Sequence, residues 1–227
     1  MAEYPISFKP SMIRAILAGH KTETRRIIRQ PYALCVQDEM AVLSRPRKGG
    51  SLAQYPCPYG KPGDTLWVRE RWYYEEHMHD LTEGTPDLPE GRFSSRLIFH
   101  ADSPDWPVNM GVGRHGWCPS IFMPRWASRL LLTVTGASWE CLHDITEAGA
   151  MAEGVTPLEG STGPNYYSVE GEYGLCNAPT AIEAYRLLWD EIANQRTPAK
   201  GGTPCDFAAN PLVWVVRFEV KEVRGGR

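Results

Sequence analysis

The chain has no long hydrophobic run, no closely paired cysteines and no excess of positive charge. None of its apolar stretches approaches the roughly 20 residues that a membrane-spanning helix needs. The first residues, Met1-Ala2-Glu3-Tyr4-Pro5, lack the basic and apolar regions of a signal peptide. We therefore expect a cytoplasmic protein without a membrane partner.

Charge and cysteine spacing disfavour two further classes of protein. The formal net charge of -3 gives no overall attraction to a phosphate backbone, so contact with nucleic acid needs a local basic patch. The absence of a C-x-x-C pair argues against a zinc ribbon, and cytoplasmic cysteines are normally reduced. We expect free thiols at Cys35, Cys57, Cys118, Cys141, Cys176 and Cys205.

The residues that are present are typical of a folded globular protein. With 227 residues, of which 42% are hydrophobic and 22% charged, the chain can form a core as one domain, residues 1–227, and no linker divides it. Segments that are rich in β-branched and aromatic residues and bounded by turn residues predict strands at 65–70, 95–100, 130–135 and 212–220. The apolar run of the last segment predicts a strand that is buried on both faces.

Three helices are predicted between these strands. One follows Ser11 and ends at Gly19, and a short one is capped by Thr146 and stopped at Gly154. The clearest begins with a capping box at 180–183. Its core face comprises Ile182, Tyr185, Leu188, Trp189 and Ile192. Short strands with few helices predict an α+β fold, a small mixed β-barrel with decorating helices, while residues 27–59 and 157–178 should be mostly loop.

The segment from Lys21 to Arg26 is the densest concentration of reactive groups, with two hydroxyls, one carboxylate and three cations. A desolvated lysine with a lowered pKa can take the proton of a threonine hydroxyl, which makes Lys21 and Thr24 a candidate nucleophilic pair. In a regular strand these two side chains point to opposite faces, so a twist or bulge is needed to bring them together. By spacing alone, a solvated strand edge is the favoured interpretation.

Other polar clusters are weaker candidates. Trp67, Arg69 and Glu70 could stack on a base and hydrogen-bond to its edge, although Trp67 also suits a barrel core and Arg69 could pair with Glu70. Arg125 could contact a phosphate or ribose, or be an ordinary surface arginine. His77 and His79, amid acidic residues, could bind a metal, but a solvated loop is the favoured interpretation and we expect no metal site.

Four motifs in order resemble the ASCH-domain family, closest to the longer versions from phage and prophage genomes. They are F-K-P-S-M-I-R-A-I-L-A-G-H-K-T-E-T-R-R, P-G-D-T-L-W-V-R-E, D-I-T-E-A-G-A-M-A-E-G and, after a helix, W-V-V-R-F. The resemblance spans residues 6–218. It implies a PUA-like barrel, here with large insertions near 27–59, 73–116 and 157–178.

The family was first proposed to bind RNA and includes small amidohydrolases that deacylate N4-acetylcytidine with a lysine, a threonine and a glutamate. Matched motif to motif, these residues are Lys21, Thr24 and Glu153, with Glu147 as the alternative glutamate. The resemblance therefore implies a cofactor-free amidohydrolase that acts on an N4-acylated cytosine or cytidine. Arg26, Trp67, Arg69, Glu70 and Arg125 would bind the substrate.

Two alternatives to this enzyme remain open. The chain could be an RNA-binding module without catalysis, using a basic patch formed by Lys21, Arg25, Arg26, Arg69 and Arg125. It could also cleave RNA, with Lys21 and Arg26 stabilising a phosphorane, although no histidine pair favours this chemistry.

Overall fold

The structure is a computed structural model that describes residues 1–29, 33–37, 40–46, 52–74, 97–104, 117–158, 166–171, 174–194 and 205–224. Within these ranges the chain forms three helices: α1 (Pro10–Leu17), α2 (Glu147–Ala152) and α3 (Ala181–Asn194). Its strands, numbered in chain order, are β1 (Glu3–Ser7), β2 (Glu23–Ile27), β3 (Ala33–Gln37), β4 (Met40–Pro46), β5 (Leu52–Gln54), β6 (Thr65–Arg69), β7 (Trp72–Tyr74), β8 (Leu97–Phe99), β9 (Leu130–Cys141), β10 (Thr156–Pro157), β11 (Tyr167–Glu170), β12 (Leu175–Ala178) and β13 (Leu212–Val223). The α+β class is therefore confirmed.

The main sheet has five strands in the order β1-β6-β9-β13-β2. β1 pairs with β6 in parallel, and the other neighbours are antiparallel. The predicted strands at 65–70, 130–135 and 212–220 are confirmed. The last two are longer than predicted and end at Cys141 and Val223. These two strands, β9 and β13, are 12 residues long and form the middle of the sheet.

β13 separates two hydrophobic clusters. Its alternate residues Leu212, Trp214 and Val216 pack with α1 and the inner side chains of β1, β6 and β9. Val213 and Val215 point to the other face and pack against α2 and α3. Because side chains alternate along a strand, two-sided burial requires an unbroken apolar run, and residues 212–216 are all buried.

The prediction of a closed β-barrel is wrong for the part of the chain that the structure describes. β1 and β2 are the two edges of the main sheet and pair only with β6 and β13, respectively. A side chain of one edge reaches the backbone of the other, because the Arg26 guanidinium in β2 donates to the Ser7 backbone carbonyl in β1 at 2.7 Å. Pro5 in β1 is compatible with an edge position, where a missing N–H is tolerated.

Two segments that were expected to be mostly loop contain strands instead. Within 27–59, β3, β4 and β5 form a three-stranded antiparallel sheet, and within 157–178, β10, β11 and β12 form another. In these strands the backbone groups pair with the neighbouring strand in sequence, which polar and glycine-rich composition does not indicate. β7 and β8 pair within 73–116, and most of the remainder of that segment lies outside the described residues.

The three predicted helices are confirmed, with one different start. α1 begins at Pro10 with Lys9 as its N-cap, while Ser11 is buried in the first turn. The backbone N–H of Gly149 donates to the Thr146 hydroxyl at 3.0 Å, which caps α2. Thr180 caps α3, whose predicted core face is confirmed, with Tyr185, Leu188 and Trp189 buried and Ile182 and Ile192 half-buried.

Two smaller expectations concern cysteines and membranes. All five cysteines whose side chains the structure describes are free, while Cys35 is outside that set. No helix among the described residues has the length and apolar character to cross a membrane.

Gly154 connects α2 to β10 with a φ of +106°, in the region that favours glycine. We expect Gly154→Ala to lower the free energy of unfolding by about 1–3 kcal/mol, because an L side chain is strained at this φ and the new Cβ would lie 3.3 Å from that of Ala15. Urea denaturation measures this change. As a control, Gly136→Ala in β9 has ordinary backbone and room for a Cβ, 3.6 Å from its nearest neighbour, so an equal loss in both variants would contradict the prediction.

Candidate functional site

A cavity of 190 Å³ lies at the gap between the two edge strands of the main sheet. Ser7 and Phe8 line one side, at the end of β1, and residues 24–27 of β2 line the other. α3 contributes Tyr185 and Trp189, and Glu153 reaches the cavity from the end of α2. We call this space the first cavity.

Lys21 is among the most buried side chains, with 1% of its surface exposed. Its backbone forms an isolated antiparallel bridge with Glu153, just before β2 begins. Its ammonium forms an ion pair with the Glu153 carboxylate and donates to the Glu153 backbone carbonyl at 2.9 Å. The solvated strand edge that spacing favoured is therefore wrong for Lys21, although β2 is an edge strand.

Glu153 has partners on three elements. Besides Lys21, the backbone N–H of Arg25 in β2 donates to Oε1, and the Tyr185 hydroxyl of α3 donates to the same oxygen at 3.4 Å. The carboxylate is placed there because Glu153 is the C-cap residue of α2, where the chain turns at Gly154. Both carboxylate oxygens therefore have fixed partners, and the whole group is buried.

Arg25 extends this network towards solvent. Its guanidinium lies 3.5 Å from Glu153, donates to Glu140 on β9 at 2.8 Å and lies 3.4 Å from Glu23. A buried arginine needs such compensation because an unpaired charge in the interior is strongly unfavourable. Arg25 is thus a structural neighbour of Glu153 whose charge is already balanced by carboxylates.

Burial changes the proton affinities of two groups at the site. Desolvation lowers the pKa of Lys21 below its ordinary value, despite the opposing attraction of Glu153. Desolvation, together with the negative charge of Glu153, raises the pKa of Tyr185 well above its ordinary value, so the phenol remains a neutral hydrogen-bond donor. A lysine that loses its proton more easily beside a carboxylate has the properties of a proton-transfer pair.

Thr24 is 3% exposed and lines the first cavity. It lies three residues after Lys21, and because Lys21 precedes the regular strand, strict alternation does not separate their side chains. Among the described contacts, however, the Lys21 ammonium donates to Glu153 and not to Thr24. The structure thus brings Lys21 and Glu153 into direct contact, and Thr24 and Glu153 line the same cavity.

Arg26 and Phe8 meet across the first cavity, Arg26 from the β2 side and Phe8 from the end of β1. The Arg26 guanidinium lies 4.9 Å from the centre of the Phe8 ring, as in a cation–π contact, and donates to Ser7. Arg26, predicted to bind the substrate, therefore lines the first cavity, and its role in binding stays a prediction.

The other predicted substrate-binding residues do not line the first cavity. Glu70 is buried in a bidentate ion pair with Arg129, and not with Arg69 as one interpretation had it. The Arg125 guanidinium pairs with Glu3 at 2.7 Å. Arg69 lies over the Trp67 ring and donates to the Ile121 carbonyl at 3.2 Å, next to Ser120 at the cavity wall.

The five cations of the predicted basic patch do not share a surface. Lys21 and Arg25 are buried and paired with carboxylates, and Arg125 is paired with Glu3. Two of the five therefore have almost no contact with solvent, and a phosphate backbone would compete with internal carboxylates for them.

The metal hypothesis concerned His77 and His79, which lie outside the described residues. Within the ranges that the structure describes, no group of three or more histidines, cysteines, aspartates or glutamates has the arrangement of a metal site.

Sequence reasoning missed Tyr185, Phe8 and Trp189 as cavity residues. Tyr185 and Trp189 were assigned to the core face of α3, and the helical pattern alone gives no sign that this face also reaches a cavity. A signal for Tyr185 was available, since a buried phenol usually needs a hydrogen-bond partner.

Comparison of the chain with protein-family models, with curated proteins and with solved structures finds no match in any of the three.

The buried Lys21–Glu153 pair makes a testable contribution to stability. We expect Lys21→Met to lower the free energy of unfolding by about 3–5 kcal/mol, because it leaves a buried carboxylate without its main counter-charge. The double variant Lys21→Met/Glu153→Leu should regain part of that loss. Urea denaturation measures both.

Arg125→Met is the matched control, because its ion pair with Glu3 is largely exposed. Pairs of this kind contribute about 0–1 kcal/mol. Equal losses in Lys21→Met and Arg125→Met would contradict the description of Lys21 as a buried, paired charge.

Proposed function

We propose that the protein is an amidohydrolase that removes the acyl group from an N4-acylated cytosine or cytidine. The observation that carries the proposal is the contact between the buried Lys21 ammonium and the Glu153 carboxylate, which lines the first cavity together with Thr24. Lys21, Thr24 and Glu153 are the three residues that the ASCH resemblance selects, although they are 132 positions apart at their widest separation.

The dimensions and lining of the first cavity support a small planar ligand. Its 190 Å³ is below the roughly 300–1,000 Å³ of sites that take drug-sized molecules. Phe8, Tyr185 and Trp189 provide aromatic surface, which suits the face of a nucleobase. One heterocycle with a short acyl substituent fits this description, while the sugar of a nucleoside would extend towards the opening.

In the proposed reaction, the Lys21–Glu153 pair accepts a proton from the attacking oxygen and later donates it to the leaving amine. In the reactive form Lys21 is a neutral amine beside the Glu153 carboxylate, so the pair carries one negative charge and Lys21 can accept the proton of the attacking oxygen. A C–O bond forms at the amide carbonyl carbon, the C–N bond breaks, and the stored proton moves to the departing exocyclic amine. One water is consumed, giving a carboxylic acid and the free amino group.

The attacking oxygen belongs either to Thr24 or to a water that Thr24 orients. In the first case an acyl ester forms on Thr24 and is hydrolysed in a second step. In the second case no covalent intermediate forms. Mass spectrometry of the protein after rapid quenching distinguishes the two, because only the first adds an acyl group to the peptide containing Thr24.

Membership of the ASCH-domain family and a relationship to the PUA-like fold are parts of this proposal. Two observations support them: the order of the motifs, and the contact between K-T-E-T-R-R, which runs into β2, and A-E-G at the end of α2. The open sheet is a departure from the barrel that the resemblance implies.

RNA binding is a less well supported alternative, since Lys21 and Arg25 are buried beside carboxylates. Salt-sensitive binding of single-stranded RNA without hydrolysis of any acylcytidine would favour this alternative. RNA cleavage has no separate support from the described side chains around Lys21 and Arg26.

The proposed activity predicts release of cytidine from N4-acetylcytidine, measured by liquid chromatography. Glu153→Gln and Thr24→Val should each lower kcat/KM by about 100- to 10,000-fold, because each removes a group that transfers or directs a proton. Thr24→Ser, which keeps the hydroxyl, should retain much more activity than Thr24→Val. Activity of the unmodified protein should rise with pH as Lys21 loses its proton, at a pH below its ordinary pKa of 10.5.

Glu147→Gln is the matched control for Glu153→Gln. Glu147 accepts hydrogen bonds from the first N–H groups of α3 at 2.8 and 3.5 Å, which is a structural role. Loss of activity in Glu147→Gln but not in Glu153→Gln would reverse the assignment. Unchanged substrate at high protein concentration, with bulkier acyl groups also tested, would reject the enzyme.

Tyr185 is a positioning residue in this proposal, since its hydroxyl contacts Glu153. We expect Tyr185→Phe to lower kcat about tenfold with little change in KM, corresponding to one hydrogen bond to a charged group. The rising limb of the pH–rate profile should move to higher pH, because a less stabilised carboxylate holds the Lys21 proton more tightly. Tyr167→Phe on β11, a half-buried tyrosine away from the first cavity, is the control, and equal effects in both variants would contradict this role.

A further inference from the structure

A second cavity, of 330 Å³, adjoins the first one. Phe8, Lys9 and Ser120 line both spaces, so they form the boundary between them. The second cavity has a different chemical character, because cationic and polar side chains replace the aromatic surface of the first. A ligand that crosses the boundary would therefore need an aromatic part and an anionic part.

Cations outnumber carboxylates among the residues that line the second cavity. Lys9, Arg14 and Arg71 are cationic, His100 is a further lining residue, and Glu170 is the one carboxylate among the described residues that line this cavity. Glu170 forms an ion pair with Arg14, whose guanidinium also donates to the Ala101 carbonyl at 3.0 Å. The local charge is therefore positive in a protein whose net charge is -3.

Three different parts of the fold carry these polar and cationic side chains. Lys9 is the N-cap residue of α1, and Arg14 lies in the same helix. Arg71 lies between β6 and β7, and its backbone carbonyl accepts from the N–H of His100, which follows β8, at 3.1 Å. Ser11, in the first turn of α1, also lines the cavity, so the positive end of the helix dipole adds to the side-chain charges.

We infer that the second cavity binds the phosphate of a nucleoside monophosphate whose base occupies the first cavity. The inference depends on the proposed function for the identity of the base. The ribose would lie at the boundary formed by Phe8, Lys9 and Ser120. The substrate class is then an N4-acylated cytidine nucleotide, and Lys9, Arg71 and Arg14 are the residues that select it over the nucleoside.

Isothermal titration calorimetry of the full chain tests this inference with cytidine, the 5′- and 3′-monophosphates of cytidine, and a short oligocytidylate. We expect at least one monophosphate to bind about tenfold or more tightly than cytidine, as one charge-assisted contact would give. The preference should decrease as the salt concentration rises. Arg71→Gln should reduce it about tenfold.

Arg186→Gln is the matched control, because Arg186 is an exposed arginine of α3 that lines neither cavity. This variant should keep the full preference for the monophosphate. An equal loss of preference in Arg71→Gln and Arg186→Gln would assign the effect to overall charge and overturn the inference.

The remaining outcomes separate this inference from the proposed function. Equal dissociation constants for cytidine and both monophosphates overturn it, even if N4-acetylcytidine is hydrolysed. Arg71-dependent binding of a monophosphate without hydrolysis of any acylcytidine supports it and rejects the amidohydrolase. Much tighter binding of the oligocytidylate than of either monophosphate overturns it in favour of an RNA strand.

Discussion

The buried contact between Lys21 and Glu153 is the constraint on which the arrangement of the site depends. It joins the segment before β2 to the end of α2, through a backbone bridge as well as an ion pair. Two charges in the interior are tolerated only when each has partners with good geometry. The N–H of Arg25 and the hydroxyl of Tyr185 complete the set for the carboxylate, which fixes β2, α2 and α3 relative to one another.

The first cavity follows from the way in which this constraint holds β2. The strand pairs with β13 on one side only, and its other side faces the end of β1 across a space that side chains of Phe8 and Arg26 span. A closed barrel would join β1 and β2 through backbone hydrogen bonds and leave no room for a ligand at this place. The first cavity therefore exists because the sheet is open at this place.

The features that could be predicted from the sequence are those with a local physical cause. The caps of α2 and α3, the two-sided burial of β13 and the class of the fold follow from hydrogen-bonding residues and apolar patterns close in sequence. The hairpins of β3, β4, β11 and β12 were missed because strand pairing compensates for polar composition. Residue spacing alone could not predict the contact between Lys21 and Glu153, because this contact depends on the packing of α2. Only the family resemblance singled out these two residues.

Burial of charge does not by itself identify a site, as a second network shows. Arg129 and Glu70 are as buried as Lys21 and Glu153, and the Arg129 guanidinium also pairs with Asp102 and lies 4.1 Å from the centre of the Phe99 ring. Burial raises the pKa of Glu70 despite its arginine partner. Arg129 is a fixed cation that keeps its protons, so its ion pair with Glu70 is not suited to store a proton and pass it to a substrate. Lys21 differs in having an exchangeable proton and a lowered pKa, and its partner Glu153 reaches a cavity. A titratable cation whose carboxylate partner faces a cavity is thus what distinguishes a candidate for proton transfer from a structural ion pair.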